Sequence, residues 1–186
     1  AVIEAMDKVE RERFVAPEAK ALAYSDRSVP IGNGRSMSSP TVLGLLLTEL
    51  APVAGEHALV VGCGTGYSAA VIAAMGVRVT GLESQPELAA KARSAGVSVV
   101  EGPLEQGWKK AAPYDFILID GSVEYIPDTI VAQLTASGRL GTSIREQGIA
   151  RLVVGRRAGN GFGLHSLADY GAAPLPGFVK PRGFAF

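Results

Sequence analysis

The sequence is poor in the residues that build disulfide and metal frameworks. Its 186 residues include one cysteine and two histidines, too few for an internal disulfide or a zinc site of ordinary ligand count. Eighteen Lys and Arg balance eighteen Asp and Glu, so no excess positive charge can hold a nucleic acid or an anionic membrane. No apolar run approaches the roughly 18 residues that span a bilayer, and the first residues lack signal-peptide order. We therefore expect a cytoplasmic protein without metal, nucleic-acid or membrane partners.

What is present is the composition of a folded domain. Apolar residues make up 47% and charged residues 19% of the chain, as in globular proteins and unlike disordered ones. At about 100 to 200 residues per domain, the length fits one domain. We divide it into an N-terminal part with helices and a substrate-side loop (residues 1–39), an α/β core (residues 40–170) and a C-terminal extension (residues 171–186). No feature of the sequence sets an oligomeric state.

The first forty residues are expected to form two short helices and a long loop. The helices are predicted at residues 1–9 and 17–24, and the loop at residues 26–40 is rich in Gly, Ser, Pro and Asn. Loops of this length inside a compact domain are often functional. At the end of the loop, Ser39 and Pro40 provide an N-cap and a first-turn proline for the next helix.

The rest of the chain predicts a sheet covered by helices. From residue 57 onward, short apolar runs alternate with helical stretches at residues 67–75, 86–95 and 127–134. This alternation is typical of an α/β, doubly wound, Rossmann-like and mostly parallel sheet. The Gly-Asn-Gly sequence at residues 159–161 predicts a hairpin. We therefore expect the sheet to end in an antiparallel strand.

A glycine-rich turn, called the glycine loop below, occupies residues 62–67 (Gly-Cys-Gly-Thr-Gly-Tyr). It lies between an apolar run ending at Val61 and a predicted helix, the context of a nucleotide-binding turn. Its glycines allow a sharp bend and close approach of a ligand, and the helix offers unpaired N–H groups. Twenty-one positions after Gly62, Glu83 closes the next strand, where a carboxylate accepts hydrogen bonds from ribose hydroxyls. Together these features predict an adenosine-containing ligand.

The glycines alone leave the ligand open. Residues 64–69 also fit the G-x-G-x-x-A variant of nicotinamide-dependent enzymes. The glycines would also suit a tight turn without a ligand, with Glu83 as a solvated strand end. The predicted antiparallel last strand favours a resemblance to class I S-adenosylmethionine methyltransferases over a classical dinucleotide domain. A non-catalytic binding module and an NAD-dependent oxidoreductase are the alternatives.

Four stretches of the sequence, in order, resemble the motifs of one family. They are RERFVAPEAKALAYSDRSVPIGNGRSMSSP, VVGCGTGYSAAVIA, GLESQPELAAKAR and GWKKAAPYDFILI. They are similar to the protein-L-isoaspartate O-methyltransferase family over roughly residues 1–140. The resemblance implies S-adenosyl-L-methionine as cofactor and methyl transfer to the carboxylate of L-isoaspartyl residues in damaged proteins, which starts their repair. The family has a further helix before the first residue of this chain, so we expect a trimmed N-terminus.

The resemblance also implies roles for individual residues. Ser38 falls on the family's active-site serine, and the acceptor carboxylate, with a pKa of about 3.9, needs no general base. The Ser38 hydroxyl should therefore orient the acceptor. Loss of Glu83 should weaken cofactor binding with little effect on fold stability. The cofactor site would comprise Gly62, Cys63, Gly64, Gly66, Tyr67, Glu83, Ser84 and Gly102, and the substrate site would comprise Ile31, Arg35 and Asp120.

Two substrate-side residues depart from the family pattern. Arg35 stands where the family has glutamine, and its guanidinium would either clamp a carboxylate or point to solvent. Asp120 stands where the family has small residues. A carboxylate there would repel a carboxylate substrate unless Arg35 compensates, or it would only cap a turn or helix.

The cofactor side has departures too. Val60 replaces the acidic residue that precedes the glycine loop in the family, and Pro103 follows Gly102 where the family has the aspartate that reaches the adenine. One cofactor contact is therefore missing or supplied by Glu101 or Glu105.

Overall fold

A computed structural model describes residues 1–180 of the chain. Within this part, nine strands are present: β1 Val29–Gly32, β2 Arg35–Met37, β3 His57–Val61, β4 Arg78–Glu83, β5 Val99–Glu101, β6 Tyr114–Val123, β7 Leu134–Glu146, β8 Ile149–Ala158 and β9 Gly161–Ala168. The α-helices of the same part are α1 Val2–Lys8, α2 Pro40–Leu50, α3 Tyr67–Ala74, α4 Pro86–Ser94 and α5 Asp128–Val131.

Seven of these strands form one sheet in the order β5-β4-β3-β6-β7-β8-β9. Strands β3 to β7 pair in parallel, whereas β8 is antiparallel to both β7 and β9. The predicted antiparallel strand at the end of a mostly parallel sheet is confirmed. The direction of winding reverses between β3 and β6, and open α/β sheets bind ligands at the carboxyl ends of strands at such a point.

The core lies on both faces of the sheet. Alternate residues of β3 belong to opposite apolar clusters, Val60 to one and Leu59 to the other. Leucines of α2 and α4 share the cluster of Val60, and Ile130 of α5 shares the cluster of Leu59. Because both faces of β3 are buried, its sequence is a continuous apolar run and not an alternating one.

The loop predicted at residues 26–40 contains a second, two-stranded antiparallel sheet formed by β1 and β2. Its turn is Asn33-Gly34, and both residues have a positive φ, 51° and 72°. Asn-Gly with two left-handed residues is a tight hairpin turn. The prediction of an irregular loop is wrong here because the abundance of Gly, Ser and Pro concealed this signal.

Other predicted elements differ in extent. The second predicted helix is a 3₁₀ helix over Pro17–Leu22. The helix predicted at residues 127–134 is confined to α5, because β7 begins at Leu134. The predicted start of α2 is confirmed, since the Ser39 side chain accepts a hydrogen bond of 3.3 Å from the Val42 N–H.

The predicted C-terminal extension, residues 171–186, is described as far as residue 180, and its last six residues lie outside the described part. Pro174 forms an isolated parallel bridge with Ser122 at the end of β6. In residues 1–180, no helix has the length and apolarity needed to cross a membrane. Nor does this part of the chain contain a group of three or more His, Cys, Asp or Glu placed to hold a metal ion.

Candidate functional site

The glycine loop connects β3 to α3 at the carboxyl end of the sheet. Gly62, Gly64 and Gly66 have φ of 74°, 56° and 99°, which side chains with a Cβ rarely adopt. A Cβ on Gly64 would lie 2.6 Å from the Ile31 Cδ1. Ile31, predicted on the substrate side, is therefore packed directly against the loop.

Glu83 lies beside the glycine loop, as the spacing predicted. Its Oε2 accepts a hydrogen bond of 2.8 Å from the Gly64 N–H. Its Oε1 accepts from the Ser84 and Gln85 N–H groups at 2.8 and 3.1 Å. The residue is 0% exposed. The alternative of a solvated strand end is therefore wrong, because the carboxylate is turned inward to satisfy these backbone donors.

Arg35 closes this arrangement from the β1–β2 hairpin. Its Nη1 donates to Glu83 Oε1 at 2.8 Å, and its Nη2 donates to the Gly62 carbonyl at 3.1 Å. The side chain is 4% exposed, so it does not point to solvent. Arg35 clamps a carboxylate of the protein itself. It makes no hydrogen bond to Asp120, because the guanidinium hydrogen-bonds Glu83 and the loop, so its compensation of the Asp120 carboxylate is limited to the attraction of its charge.

Leu175, in the C-terminal extension, covers the same loop. A Cβ on Gly62 would lie 2.8 Å from the Leu175 Cδ2 and 3.3 Å from the Arg35 Nη2. The Leu175 N–H donates to the Ser122 carbonyl at 2.9 Å, which holds the extension against β6. The cavity left between the glycine loop, β2 and Asp120 measures about 10 Å³. Sequence analysis missed Leu175, since its contact with the loop depends on the tertiary fold.

Ser38 and Asp120, predicted as catalytic and substrate-side residues, are in contact. The Ser38 Oγ donates to the Asp120 Oδ1 at 3.0 Å. Asp120 lies inside β6, so the alternative of a turn or helix cap is wrong. Burial raises the pKa of the Asp120 carboxyl, and the neighbouring hydroxyls of Ser68 and Ser38 and the charges of Arg11 and Arg35 oppose the rise.

Arg11 is a site residue to which sequence analysis assigned no role. It is 1% exposed, its Nε donates to the Ala23 carbonyl at 2.6 Å, and its Nη2 donates to the Ser38 carbonyl. The guanidinium carbon lies 4.7 Å from the centre of the Tyr67 ring. Burial lowers the pKa of Arg11, and Tyr67 opposes this. The residue fixes the backbone on which Ser38 is carried. The sequence signal for this role was the arginine within the RERF stretch. It was missed because an arginine is usually exposed to solvent.

The predicted cofactor residues Cys63 and Tyr67 are buried within the loop. Burial raises the pKa of the Cys63 thiol, so the thiol stays protonated and fills space beside Gly81. The Tyr67 ring meets Phe14 edge-on at 5.6 Å between centroids. Burial also raises the pKa of the Tyr67 hydroxyl. Both residues support the shape of the loop.

Gly102 lies on the other side of Glu83, and its N–H donates to the Glu83 carbonyl at 3.1 Å. A Cβ on Gly102 would be 3.6 Å from the Trp108 Cζ3, so the indole borders this end of the site. Glu101, one of two suggested substitutes for the missing family contact, forms a 2.8 Å ion pair with Arg93 at the surface.

An open groove of about 490 Å³ adjoins the small cavity. Ile31 and Thr65 line both spaces. The groove runs from Phe14 to Lys91 of α4, and Arg13 also lines it. A segment of extended chain in this groove would pass the mouth of the cavity that contains Asp120.

The residues fit an adenosine-containing cofactor, although the arrangement is closed. Three left-handed glycines, the Glu83 carboxylate beside them and Gly102 next to an indole form the donor set that such a ligand requires. Pockets for small ligands measure roughly 300 to 1,000 Å³, far more than the cavity described above. Arg35 and Leu175 occupy the space over the loop.

Comparisons with known proteins show which family the sequence is similar to. A model of the protein-L-isoaspartate(D-aspartate) O-methyltransferase family matches residues 1–166. A protein-L-isoaspartate O-methyltransferase of Methylorubrum populi is 40% identical over 146 residues, which cover 75% of this chain and 69% of that protein. One from Gloeobacter violaceus is 39% identical, over 79% of this chain and 77% of that protein.

Solved structures agree on the fold. A structure titled protein-L-isoaspartate O-methyltransferase has a TM-score of 0.82 and 21% identity, over 95% of this chain and 61% of that one. A Plasmodium falciparum structure described as a beta-aspartate methyltransferase, in complex with S-adenosyl-L-homocysteine, has a TM-score of 0.80 and 23% identity, over 94% of this chain and 89% of that one. From its sequence and its fold, this chain belongs to the protein-L-isoaspartate O-methyltransferase family.

Proposed function

We propose that this protein transfers a methyl group from S-adenosyl-L-methionine to the carboxylate of L-isoaspartyl residues in damaged proteins and peptides. One observation carries the proposal. The glycine loop with Glu83 beside it, and Ser38 against Asp120, lie together at the carboxyl ends of β3, β4 and β6. In a chain of this family, that arrangement supports a cofactor site next to an acceptor site.

The cofactor would be held by the groups already described. Gly62, Gly64 and Gly66 offer an approachable backbone, Glu83 offers acceptors for ribose hydroxyls, and Gly102 borders the adenine end. When bound, S-adenosyl-L-methionine supplies an electrophilic methyl group on a positively charged sulfur.

The protein's part in the reaction is to bind and orient the acceptor. A carboxylate is ionised at neutral pH, so the protein needs no base, and the site contains no Ser-His-Asp arrangement among the described residues. Ser38 would orient the acceptor carboxylate by donating its hydroxyl proton. A charged Asp120 accepts the hydrogen bond from the Ser38 hydroxyl itself. When Asp120 is protonated, the Ser38 hydroxyl is free to donate to the acceptor carboxylate. Burial favours the protonated form of Asp120.

The groove beside the cavity would hold the peptide on each side of the isoaspartyl residue. Ile31 lines both the groove and the cavity, which fits its predicted place in the substrate site. Arg13 and Lys91 contribute positive charge along the groove. We infer a cytoplasmic enzyme that acts on proteins. Its balanced charge argues against nucleic acids as substrates.

The closed cavity favours one alternative function. Arg35 and Leu175 lie over the glycine loop, where they hinder the approach of a cofactor. A protein that does not react with a cofactor would have a non-catalytic binding role. Family membership does not favour the nicotinamide oxidoreductase considered from the glycines alone.

The test is methyl transfer from labelled S-adenosyl-L-methionine to a peptide that contains isoaspartate, compared with the same peptide containing aspartate. Ser38→Ala should lower transfer at least about tenfold, since one orienting hydrogen bond is worth about 1.4 kcal/mol or more in the transition state. Ser143→Ala is the control, because Ser143 is also buried and hydrogen-bonded, but to Ser122 at 3.0 Å and not to Asp120. No transfer by a folded parent that binds cofactor would refute the function and leave the binding role.

A further inference from the structure

We propose that Arg35 competes with the cofactor for Glu83 and thereby sets the affinity of the site. The inference rests on the proposed function for the identity of the cofactor. The cofactor site is closed by a part of the protein itself, and a ribose hydroxyl can bind the Glu83 Oε1 only when the guanidinium has left. Arg35 is therefore a residue that determines cofactor affinity, and not the substrate ligand that the sequence suggested.

The hydrogen bonds that Glu83 already accepts limit what else its carboxylate can bind. A carboxylate offers about four acceptor sites. The Glu83 Oε1 accepts from the Ser84 and Gln85 N–H groups, from the Ser84 hydroxyl at 3.4 Å and from Arg35 at 2.8 Å. Among the described residues, the Oε2 accepts from the Gly64 N–H alone. A ribose hydroxyl therefore cannot bind the Oε1 while all of these donors remain.

Of the groups that donate hydrogen bonds to Glu83, the Arg35 guanidinium can leave most readily. The three backbone donors belong to the glycine loop and to the turn after β4, so their removal would require the backbone to unfold. The guanidinium of Arg35 is carried on a long side chain with several rotatable bonds. Rotation of this one side chain frees an acceptor position on the Glu83 Oε1 without moving the sheet.

The guanidinium also occupies the space over the Gly62 backbone. The Arg35 Nη2 lies 3.3 Å from the position of a Cβ on Gly62, and it hydrogen-bonds the carbonyl of the same glycine. The guanidinium thus covers a backbone surface that a cofactor must approach, and the cavity that Gly62 lines measures about 10 Å³. Leu175 covers the neighbouring part of Gly62.

The consequence for binding is quantitative. When only a fraction of the molecules has the open arrangement, the apparent dissociation constant is the intrinsic one divided by that fraction. A buried pair of opposite charges, 4% and 0% exposed, favours the closed arrangement. Removing the charge of residue 35 should raise the open fraction and so strengthen cofactor binding.

The test is isothermal titration with S-adenosyl-L-homocysteine. Arg35→Gln keeps a polar side chain but removes the charge, and we expect it to bind at least tenfold more tightly than the parent. The control is Arg139→Gln. Arg139 forms a comparable pair with Glu56 at 2.8 Å and donates to the Leu50 carbonyl, remote from the glycine loop. The control should bind as the parent does.

A second measurement uses the unaltered protein. Trp108 is the only tryptophan and lies beside Gly102, so its fluorescence reports on the site. If the departure of Arg35 precedes binding, the observed rate of the fluorescence change will reach a plateau as S-adenosyl-L-homocysteine is increased. A rate that rises linearly throughout would overturn the proposal even if Arg35→Gln failed to fold.

The outcomes separate this proposal from the proposed function. Equal affinity of parent and Arg35→Gln would overturn the competition and leave methyl transfer intact. Tighter binding by Arg35→Gln without transfer to isoaspartyl peptides would support the competition and remove the function. Binding by Arg35→Gln alone would support the competition most directly, and binding by neither protein would overturn it together with the cofactor assignment.

Discussion

Replacing Glu83 by alanine should destabilise the fold, in contrast to the small effect expected from the sequence. The carboxylate is buried and paired with an arginine that is itself 4% exposed. Removing one partner of a buried ion pair leaves an uncompensated charge and typically costs about 3 to 5 kcal/mol. Three backbone N–H groups also lose their acceptor. We therefore expect Glu83→Ala to lower the free energy of unfolding by about 3 to 5 kcal/mol.

Urea unfolding followed by far-UV circular dichroism measures this effect. For a domain of this size, about 1 kcal/mol corresponds to roughly 2 to 4 °C in Tm, so thermal unfolding should show the same loss as a decrease on the order of 10 °C. The matched control is Glu101→Ala. Glu101 is also paired with an arginine, but both side chains are about half exposed, and such surface pairs contribute about 0 to 1 kcal/mol.

A double-mutant cycle isolates the pair. Arg35→Met alone leaves Glu83 buried without its charge partner, whereas Arg35→Met combined with Glu83→Ala removes both charges. The double variant should be more stable than the sum of the two single effects predicts, because neither charge remains unpaired. A Glu83→Ala protein within about 1 kcal/mol of the parent, or strict additivity in the cycle, would refute the reasoning.

Two further predictions concern the neighbouring cluster. Burial raises the pKa of Asp120 above its ordinary value of 3.8, so the folded state holds this proton more tightly than the unfolded state. The contribution of Asp120 to stability should therefore fall as the pH rises through the ordinary and then the raised pKa. Asp120→Asn should not show this fall in stability with rising pH. The check is the Tm of both proteins from about pH 3 to about pH 8. A difference in Tm between parent and variant that stays the same at every pH would contradict the prediction. Arg11→Lys should lose the forked contacts with the Ala23 and Ser38 carbonyls. Hydrogen bonds from a charged group are worth about 1.5 to 3 kcal/mol each. We therefore expect the variant to lose about 2 kcal/mol or more of unfolding free energy and to unfold at a lower urea concentration. An unchanged urea midpoint would contradict the role assigned to Arg11.

The scaffold of the site follows from local patterns in the sequence. The glycine loop lies between an apolar strand and a helix, and the acidic residue lies at the end of the next strand. Because β3 and β4 are parallel neighbours, their carboxyl ends meet, and the Gly64 N–H lies 2.8 Å from the Glu83 Oε2. A spacing of twenty-one positions therefore predicts a contact once the parallel sheet is recognised.

The partners of the charged residues do not follow from such patterns. Arg35 and Glu83 are 48 positions apart, and Ser38 and Asp120 are 82 positions apart. Their contacts depend on how the β1–β2 hairpin is placed on the sheet. Sequence reasoning left Arg35 either clamping a carboxylate or pointing to solvent, and the fold brings it to Glu83. Leu175 likewise reaches Gly62 only because the C-terminal extension pairs with the end of β6.

The origin of these groups in the chain bears on how the site can vary. The groups that would hold the cofactor lie at the ends of parallel strands, where the sheet itself fixes their positions. The groups that close the site come from outside that core: Arg35 from the hairpin before α2, and Leu175 from the segment after β9. A change at residue 35 can therefore alter the access of a cofactor to Glu83 without altering the strands that position Glu83. This separation explains how the features of a methyltransferase cofactor site and a cavity of about 10 Å³ occur in the same molecule, since the residues that bind and the residues that close belong to different parts of the fold.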